Sequence, residues 1–182
     1  IHQLINKVIR NTFEGQAMDI GWIEKKNFPK KNEYMKMIVK KTGFYSGKGP
    51  CQFGAIIGGA SKQEINTVGI FGETIGIGFQ IRDDLLNLTE KSEYQAPTPG
   101  SGGYGKERGG DIVEGKRTLI TIELLDRLPK KDSNYLRKIL LKSQSSVTRE
   151  NIDWVISQAH KTGTIKEVSQ QCMHQAEIAS NL

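Results

Sequence analysis

The segment FQIRDDLLNL at residues 79–88 has the most informative pattern in this chain. Within it, Gln80, Asp83, Asp84 and Asn87 follow the i, i+3, i+4 and i+7 spacing that places side chains on one face of an α-helix. The other positions are mostly apolar, whereas an ordinary surface helix has a broad polar face. A narrow polar stripe on an apolar rod predicts a helix that is buried on most sides and faces a wet cavity on one.

The two adjacent carboxylates of this stripe indicate a metal site. Carboxylates are rarely kept inside a protein unless a cation lies beside them. Mg²⁺ is the natural candidate, because it prefers oxygen ligands and usually holds its substrate through phosphates. The alternative is a solvated helix face, which is the common environment of an aspartate pair. The apolar flanks, the upstream glutamine and the basic, glycine-rich segment downstream favour the metal site.

The spacing of apolar residues predicts helices along most of the chain. Strand-like alternation is absent from the sequence, so we predict an all-α fold in which helices pack on helices. The longest predicted helix covers residues 64–88, with Ser61 as its N-cap. Further N-caps are predicted at Ser133 and Thr148, and Gly43 is predicted to end an earlier helix.

Residues 89–110 differ from the rest, because they contain two prolines and six glycines without apolar periodicity. This composition predicts a mobile loop. Four lysines and arginines lie within residues 105–118, and such side chains neutralise phosphate. A solvated basic loop is the alternative interpretation of this cluster.

The composition is that of one globular domain of 182 residues, with 36% hydrophobic and 25% charged residues. The net charge of +6 favours an anionic partner and leaves open nucleic acid, a membrane surface or a phosphorylated metabolite. Cys51 and Cys172 are too few and too far apart for a disulfide framework, so we expect a reducing, cytoplasmic location. No apolar run approaches the roughly 20 residues that span a bilayer, so we expect at most peripheral membrane association.

Four motifs occur in a characteristic order: GQAMDIGW at 15–22, KKTG at 40–43, FQIRDDLLNL at 79–88 and GKERGGDIVEGKRTL at 105–119. Together they resemble the trans-isoprenyl (polyprenyl) diphosphate synthases, and the first and third resemble the geranylgeranyl diphosphate synthase branch. The resemblance implies an isoprenoid-synthase-like helical bundle around a central cavity. It also implies a prenyltransferase that condenses isopentenyl diphosphate with an allylic diphosphate.

The resemblance assigns roles to individual positions of this chain. Asp83 and Asp84 would bind Mg²⁺, and Asn87 is a further candidate ligand that stands where many relatives have a third aspartate. Thr42 and Gln80 would point oxygen dipoles at the allylic carbocation. The residues implied to hold the substrate diphosphate are Lys41, Lys106 and Lys116. Candidates for supporting the site from behind are Gln16, Asp19, Asp111 and Arg117. Gln16 and Asp19 could equally form a buried hydrogen-bond pair.

The first aspartate-rich motif of this family is missing, since residues 83–84 are the only Asp-Asp pair in the chain. We therefore expect residues 1–182 to be the C-terminal part of a prenyl synthase domain that lacks its N-terminal helices and is inactive alone. The resemblance also implies a homodimer. One alternative is a non-catalytic prenyl-synthase-like subunit that acts as an assembly partner. A basic nucleic-acid-binding domain is disfavoured, because the charges are scattered and the aromatic content is low.

Overall fold

The structure is a computed structural model that describes residues 1–89 and 108–182. Those two ranges contain helices and no strand, which confirms the predicted all-α fold. The predicted loop at 89–110 falls almost entirely outside the described residues. The α-helices are α1 (His2–Glu24), α2 (Lys31–Ile38), α3 (Gly49–Ile57), α4 (Lys62–Thr89), α5 (Gly110–Val113), α6 (Leu119–Arg127), α7 (Lys130–Leu140), α8 (Arg149–Lys161) and α9 (Thr164–Ser180). A π-helix (Val39–Lys48) joins α2 to α3, and a short 3₁₀ turn (Gln144–Ser146) precedes α8.

The long helix α4 forms the centre of the molecule and packs between the π-helix and α9. The predicted N-cap of α4 at Ser61 is confirmed. The Ser61 hydroxyl accepts a hydrogen bond from Glu64 N at 3.3 Å, and the Glu64 carboxylate accepts one from Ser61 N at 2.7 Å. The C-terminal half of α4 is buried along one side, which joins the core formed by α2, α6, α7 and α8. The apolar residues of that buried side are Ile77, Ile81, Leu85 and Leu88.

The π-helix contradicts the predicted helix end at Gly43, because the chain stays helical from α2 through to α3. Here the glycines allow the π-helix to pack closely against α4, and they do not end a helix. A Cβ built on Gly76 of α4 would lie 3.0 Å from Gly43 Cα. One turn further on, a Cβ on Gly47 would lie only 1.8 Å from Gly72 O. The backbones of the π-helix and α4 therefore touch where neither carries a side chain.

Two other predicted caps have opposite outcomes. The Thr148 cap is confirmed, because its hydroxyl accepts from Asn151 N at 3.4 Å while Asn151 Oδ1 accepts from Thr148 N at 3.3 Å. The Ser133 cap is wrong, because α7 begins directly after Pro129. Proline has the backbone φ that a helix start needs, so the helix begins before Ser133 is reached. The Ser133 hydroxyl instead donates to Leu125 O at 3.0 Å.

The N-terminal half of α1 presents apolar side chains on the surface, with Phe13 70% exposed. An open apolar cavity of about 400 Å³ lies between this half of α1, the π-helix and α3. None of the described helices is long and apolar enough to cross a membrane. The residues that line the cavity are Ile5, Val8, Ile9, Thr12, Phe13, Tyr45 and Phe53.

Candidate functional site

Two residues of the polar stripe of α4, Gln80 and Asp84, border a small cavity of about 40 Å³ at the meeting point of four helices and the turn that precedes α6. This cavity collects residues that are up to about 100 positions apart in the sequence. It contains cationic, acidic and amide side chains together with one methionine. Its lining consists of Asp19, Tyr34, Met37, Lys41, Gln80, Asp84, Lys116, Arg117 and Thr118.

Asp84 is the buried carboxylate of this cavity, with 5% of the residue exposed. Its Oδ2 accepts a hydrogen bond from the Tyr34 hydroxyl at 2.7 Å and a longer one from Leu119 N at 3.4 Å. Its Oδ1 accepts from Gln80 Nε2 at 3.0 Å. Burial raises the pKa of Asp84 to about 7, although the hydrogen bond from Tyr34 opposes this effect. Burial and the neighbouring Asp84 charge also raise the pKa of Tyr34 well above its ordinary value.

Asp83 lies in a different environment from Asp84, although the two are adjacent in sequence. Asp83 is half-buried and does not line the cavity, while Asp84 lines it and accepts hydrogen bonds from the protein on both oxygens. Mg²⁺ is commonly held by one or two carboxylates together with substrate phosphates. The oxygen-rich stripe beside two lysines fits that kind of site. Among the described residues, no group of three or more His, Cys, Asp or Glu side chains converges to hold a metal without a substrate.

Gln80 lines the cavity and is hydrogen-bonded to Thr42, which is buried behind the lining. The Thr42 hydroxyl, on the π-helix, donates to Gln80 Oε1 at 2.9 Å. Because Gln80 Nε2 donates to Asp84 on the other side, the orientation of the amide is fixed by both neighbours. A continuous hydrogen-bond chain therefore runs from Thr42 through Gln80 and Asp84 to Tyr34.

Each cavity lysine rests on a carboxylate. Lys41 Nζ lies 2.7 Å from Asp19 Oδ2, which joins the π-helix to α1. Lys116 Nζ lies 2.7 Å from Asp111 Oδ1 and 3.0 Å from Glu114 Oε2. Burial alone would lower the pKa of Lys116, but its hydrogen bonds and charge interactions with the two carboxylates raise it above the ordinary value. Lys116 is consequently held as a cation at the edge of the cavity, and Lys41 forms its ion pair with Asp19 at the same cavity.

Asn87 has a structural contact at the end of α4. Its side-chain Oδ1 accepts from Asp111 N at 3.1 Å, and its backbone carbonyl accepts from Gly109 N at 2.8 Å. It thereby fixes the start of α5, from which the Asp111 carboxylate reaches Lys116. Asn87 is absent from the lining of the cavity. Its role as a metal ligand stays a prediction.

Six of the twelve residues that the sequence indicates line the cavity: Asp19, Lys41, Gln80, Asp84, Lys116 and Arg117. Thr42 and Asp111 contact members of this set from outside the lining, and Asp83 and Asn87 also lie outside it. Gln16 is half-buried on α1 and does not line the cavity. Lys106 lies outside the described residues. Sequence reasoning missed Tyr34 and Met37, which reach the cavity from α2. The available signal was weak: Tyr34 precedes Lys41 by seven residues, about two helical turns.

Comparison with known proteins identifies relatives of this chain. The sequence model of a family described as "Polyprenyl synthetase" matches residues 1–158. A short chain isoprenyl diphosphate synthase of Methanothermobacter thermautotrophicus is 38% identical over 140 residues, which is 77% of this chain and 40% of that protein. The heptaprenyl diphosphate synthase component 2 of Bacillus subtilis is 28% identical over 91% of this chain and 42% of its own length.

Solved structures share the fold as well. A crystal structure of geranylgeranyl pyrophosphate synthase from Corynebacterium glutamicum, complexed with isoprenyl diphosphate and magnesium, superposes with a TM-score of 0.83 and 27% sequence identity. The superposition covers 97% of this chain and 47% of that protein. The chain thus spans less than half the length of each of these three relatives.

Proposed function

Because the chain belongs to the polyprenyl synthetase family, we propose that the intact protein is a prenyltransferase that condenses isopentenyl diphosphate with an allylic diphosphate. The observation that carries the proposal is the convergence of Asp84, Lys41 and Lys116 on one cavity. Adjacent carboxylates and lysines are the groups needed to hold a metal-bound diphosphate. We further propose geranylgeranyl diphosphate as the product, which is supported by the likeness to the Corynebacterium glutamicum enzyme.

The lysines bind the leaving group in this proposal. As the allylic C–O bond breaks, negative charge accumulates on the diphosphate, and cations placed beforehand at that position stabilise the transition state. Lys41 and Lys116 line the cavity and form ion pairs with Asp19 and Asp111. A diphosphate that enters the cavity would share or replace these carboxylates as their partner. Mg²⁺, held by the carboxylates of α4, would supply further neutralisation of the phosphate charge.

The hydrogen-bond chain of the cavity would stabilise the allylic carbocation. Gln80 Oε1 and the Thr42 hydroxyl oxygen are held side by side, and their dipoles can face a positive charge. The double bond of isopentenyl diphosphate then attacks the cation, a C–C bond forms and a proton is lost. Met37 and the apolar core behind it restrict the access of water, which would otherwise quench the cation.

The direct test uses the intact protein with labelled isopentenyl diphosphate, a series of allylic diphosphates and Mg²⁺. We expect extended prenyl diphosphates that contain the label, with a twenty-carbon chain as the main product. Mass spectrometry after phosphatase treatment identifies the chain length. The absence of any extended product in the presence of Mg²⁺ would contradict the proposal.

A second candidate function is that of a non-catalytic subunit in a prenyl synthase assembly. The simpler possibility is that the enzyme itself forms a homodimer. The subunit function is favoured by the exposed apolar half of α1 and by the likeness to a protein named as a component of a heptaprenyl synthase. Light scattering of the intact protein alone distinguishes the two assemblies. A homodimer with turnover supports the enzyme, whereas turnover only after a second polypeptide is added supports the subunit.

A further inference from the structure

Arg117 lies beside the cavity but is almost fully buried, with 2% of the residue exposed. Its Nε donates to Asn27 O at 3.0 Å. Its Nη1 donates to Leu140 O at 3.2 Å and also to Gly115 O. All these acceptors are backbone carbonyls, and within the described ranges no carboxylate pairs with Arg117.

The charge of Arg117 is stabilised by an aromatic ring instead of an anion. Its guanidinium carbon lies 4.4 Å from the centroid of Phe28, and that of Arg137 lies 4.5 Å from the same centroid. Burial, with a smaller contribution from the charge of Arg137, lowers the pKa of Arg117 to about 10. Arg117 therefore remains a cation at neutral pH, and its N–H donors stay fixed in one plane.

The three carbonyls belong to segments that are far apart in the sequence. Asn27 lies in the turn after α1, Gly115 in the turn before α6, and Leu140 at the end of α7. Gly115 has a backbone φ of +65°, and a Cβ at this position would lie 2.7 Å from Leu140 O. The turn is thus pressed against the end of α7, and one planar guanidinium connects all three segments.

Lys116 lies between the two residues that this network holds. Its neighbours Gly115 and Arg117 are fixed on either side, so the direction of its side chain is set by the turn. The Lys116 ammonium contacts Asp111 and lines the cavity. We propose that Arg117 is a positioning residue, which fixes the turn at 115–118 so that the Lys116 ammonium projects into the cavity. The benefit to diphosphate binding rests on the function proposed above; the positioning itself does not.

The positioning is tested by the reactivity of Lys116 towards acetic anhydride, read by mass spectrometry of the purified chain. Arg117→Met removes the planar donor group, and Arg117→Lys keeps a charge but cannot reach three carbonyls as a fork. Arg137→Met is the matched control, because it removes the other cation above Phe28 and leaves the carbonyl contacts in place. Lys31, which pairs with Glu123, is the internal reference within each sample.

We expect both Arg117 variants to raise the labelling rate of Lys116 relative to Lys31 by about two- to fivefold, the size expected when a partly exposed ion pair is lost. Arg137→Met should leave that ratio unchanged. Circular dichroism checks the fold, and Arg117→Lys supplies the comparison if Arg117→Met does not fold. A Lys116 ratio that is the same in Arg117→Lys and in the unaltered chain would overturn the proposal.

Protection by inorganic pyrophosphate and Mg²⁺ separates this inference from the proposed function. In the unaltered intact protein, we expect pyrophosphate to reduce the labelling of Lys116 and not that of Lys31. If pyrophosphate gives no protection while the Arg117 variants still expose Lys116, the diphosphate site is wrong and the positioning role stands. If pyrophosphate protects but the variants label like the unaltered protein, the positioning role is wrong and the diphosphate site stands.

Discussion

At the scale of single residues, Asp83 and Asp84 are neighbours with different surroundings. Asp84 is buried and accepts hydrogen bonds on both oxygens, whereas Asp83 is half-buried, with its Oδ1 closed to solvent. A half-buried carboxylate can exchange its contacts for a metal ion at lower cost than a fully buried one. Asp83 is therefore the residue at which loss of charge should affect the proposed reaction most directly.

We expect Asp83→Asn in the intact protein to reduce the rate of prenyl transfer by about 100-fold or more, as for loss of a group that stabilises charge in the transition state. Steady-state kinetics at saturating Mg²⁺ measures the effect. Asp126→Asn, at an exposed position of α6, is the control and should leave the rate unchanged. Equal rates for Asp83→Asn and the unaltered enzyme would remove Asp83 from the metal site.

The raised pKa of Asp84 predicts how stability depends on pH. The carboxyl of Asp84 holds its proton in the folded state up to a pKa of about 7, whereas in the unfolded chain it loses the proton near the ordinary pKa of 3.8. Between these values the folded state binds more protons, so the contribution of Asp84 to stability falls as pH rises from about 4 to 7. The decline is on the order of 1–4 kcal/mol. It should be largely absent in Asp84→Asn.

Urea unfolding at several pH values measures this difference. Other carboxyls have lowered pKa values, among them Glu123, whose partner Lys31 outweighs the opposing effect of burial. Those groups make the free energy of unfolding rise with pH in both proteins. The test is therefore the difference between the two curves of unfolding free energy against pH, not the shape of either curve alone. Parallel curves for Asp84→Asn and the unaltered chain would contradict the raised pKa.

The separate roles of these aspartates could not be predicted from the sequence, although the stripe itself could. A spacing of three and four residues is a local property of a helix, so it is visible in any stretch of sequence. The donors to Asp84 come from Tyr34 and Leu119, which are 50 and 35 residues away. Only the packing of α2 and α6 against α4 brings them together. The carbonyl partners of Arg117 could not be predicted either, because they also come from segments that are distant in sequence.

At the scale of helices, the contact between the π-helix and α4 depends on four glycines, which are Gly43 and Gly47 of the π-helix and Gly72 and Gly76 of α4. Gly47→Ala would place a methyl group 1.8 Å from Gly72 O, which forces the helices apart. We expect a loss of about 1–3 kcal/mol or more in the free energy of unfolding, the range for overpacked interiors. Thermal and urea unfolding measure it.

Gly54→Ala provides the control for this substitution. Gly54 is exposed on α3, and a Cβ there has nothing within 4 Å. Alanine favours a helix over glycine by about 0.5–1 kcal/mol, so this variant should be slightly more stable. If Gly47→Ala were as stable as Gly54→Ala, the close contact of the two helices would be contradicted.

The same glycines explain which elements could be predicted. The long helix α4 follows from its apolar periodicity and its Ser61 cap, both of which are local signals. The end predicted at Gly43 failed, because a glycine that ends a helix and a glycine that admits a neighbouring helix look alike in sequence. The difference lies in Gly76, which is 33 residues away and packs against Gly43.

At the scale of the whole molecule, the carboxylates that residues 1–89 and 108–182 bring to the proposed Mg²⁺ site are those of α4. The reaction proposed here needs the phosphate charge to be neutralised from more than one side. We therefore expect the 182-residue chain alone to give no extended prenyl diphosphate with Mg²⁺, while the intact protein does. The two proteins are compared in one assay with labelled isopentenyl diphosphate. Turnover by the 182-residue chain would contradict this expectation.

The π-helix also has a consequence for how this site can vary among relatives. Residues 39–48 form a π-helix, in which each hydrogen bond spans five residues. An α-helix, whose hydrogen bonds span four residues, would need fewer residues for the same number of turns. Removal of one residue from this stretch would rotate Tyr34 by roughly 100° around the helix axis relative to α3. An insertion or deletion here can therefore redirect the side chains that precede it without altering the length of any flanking α-helix. A change in the shape of the cavity that Tyr34 and Met37 line therefore has a simple route through this segment.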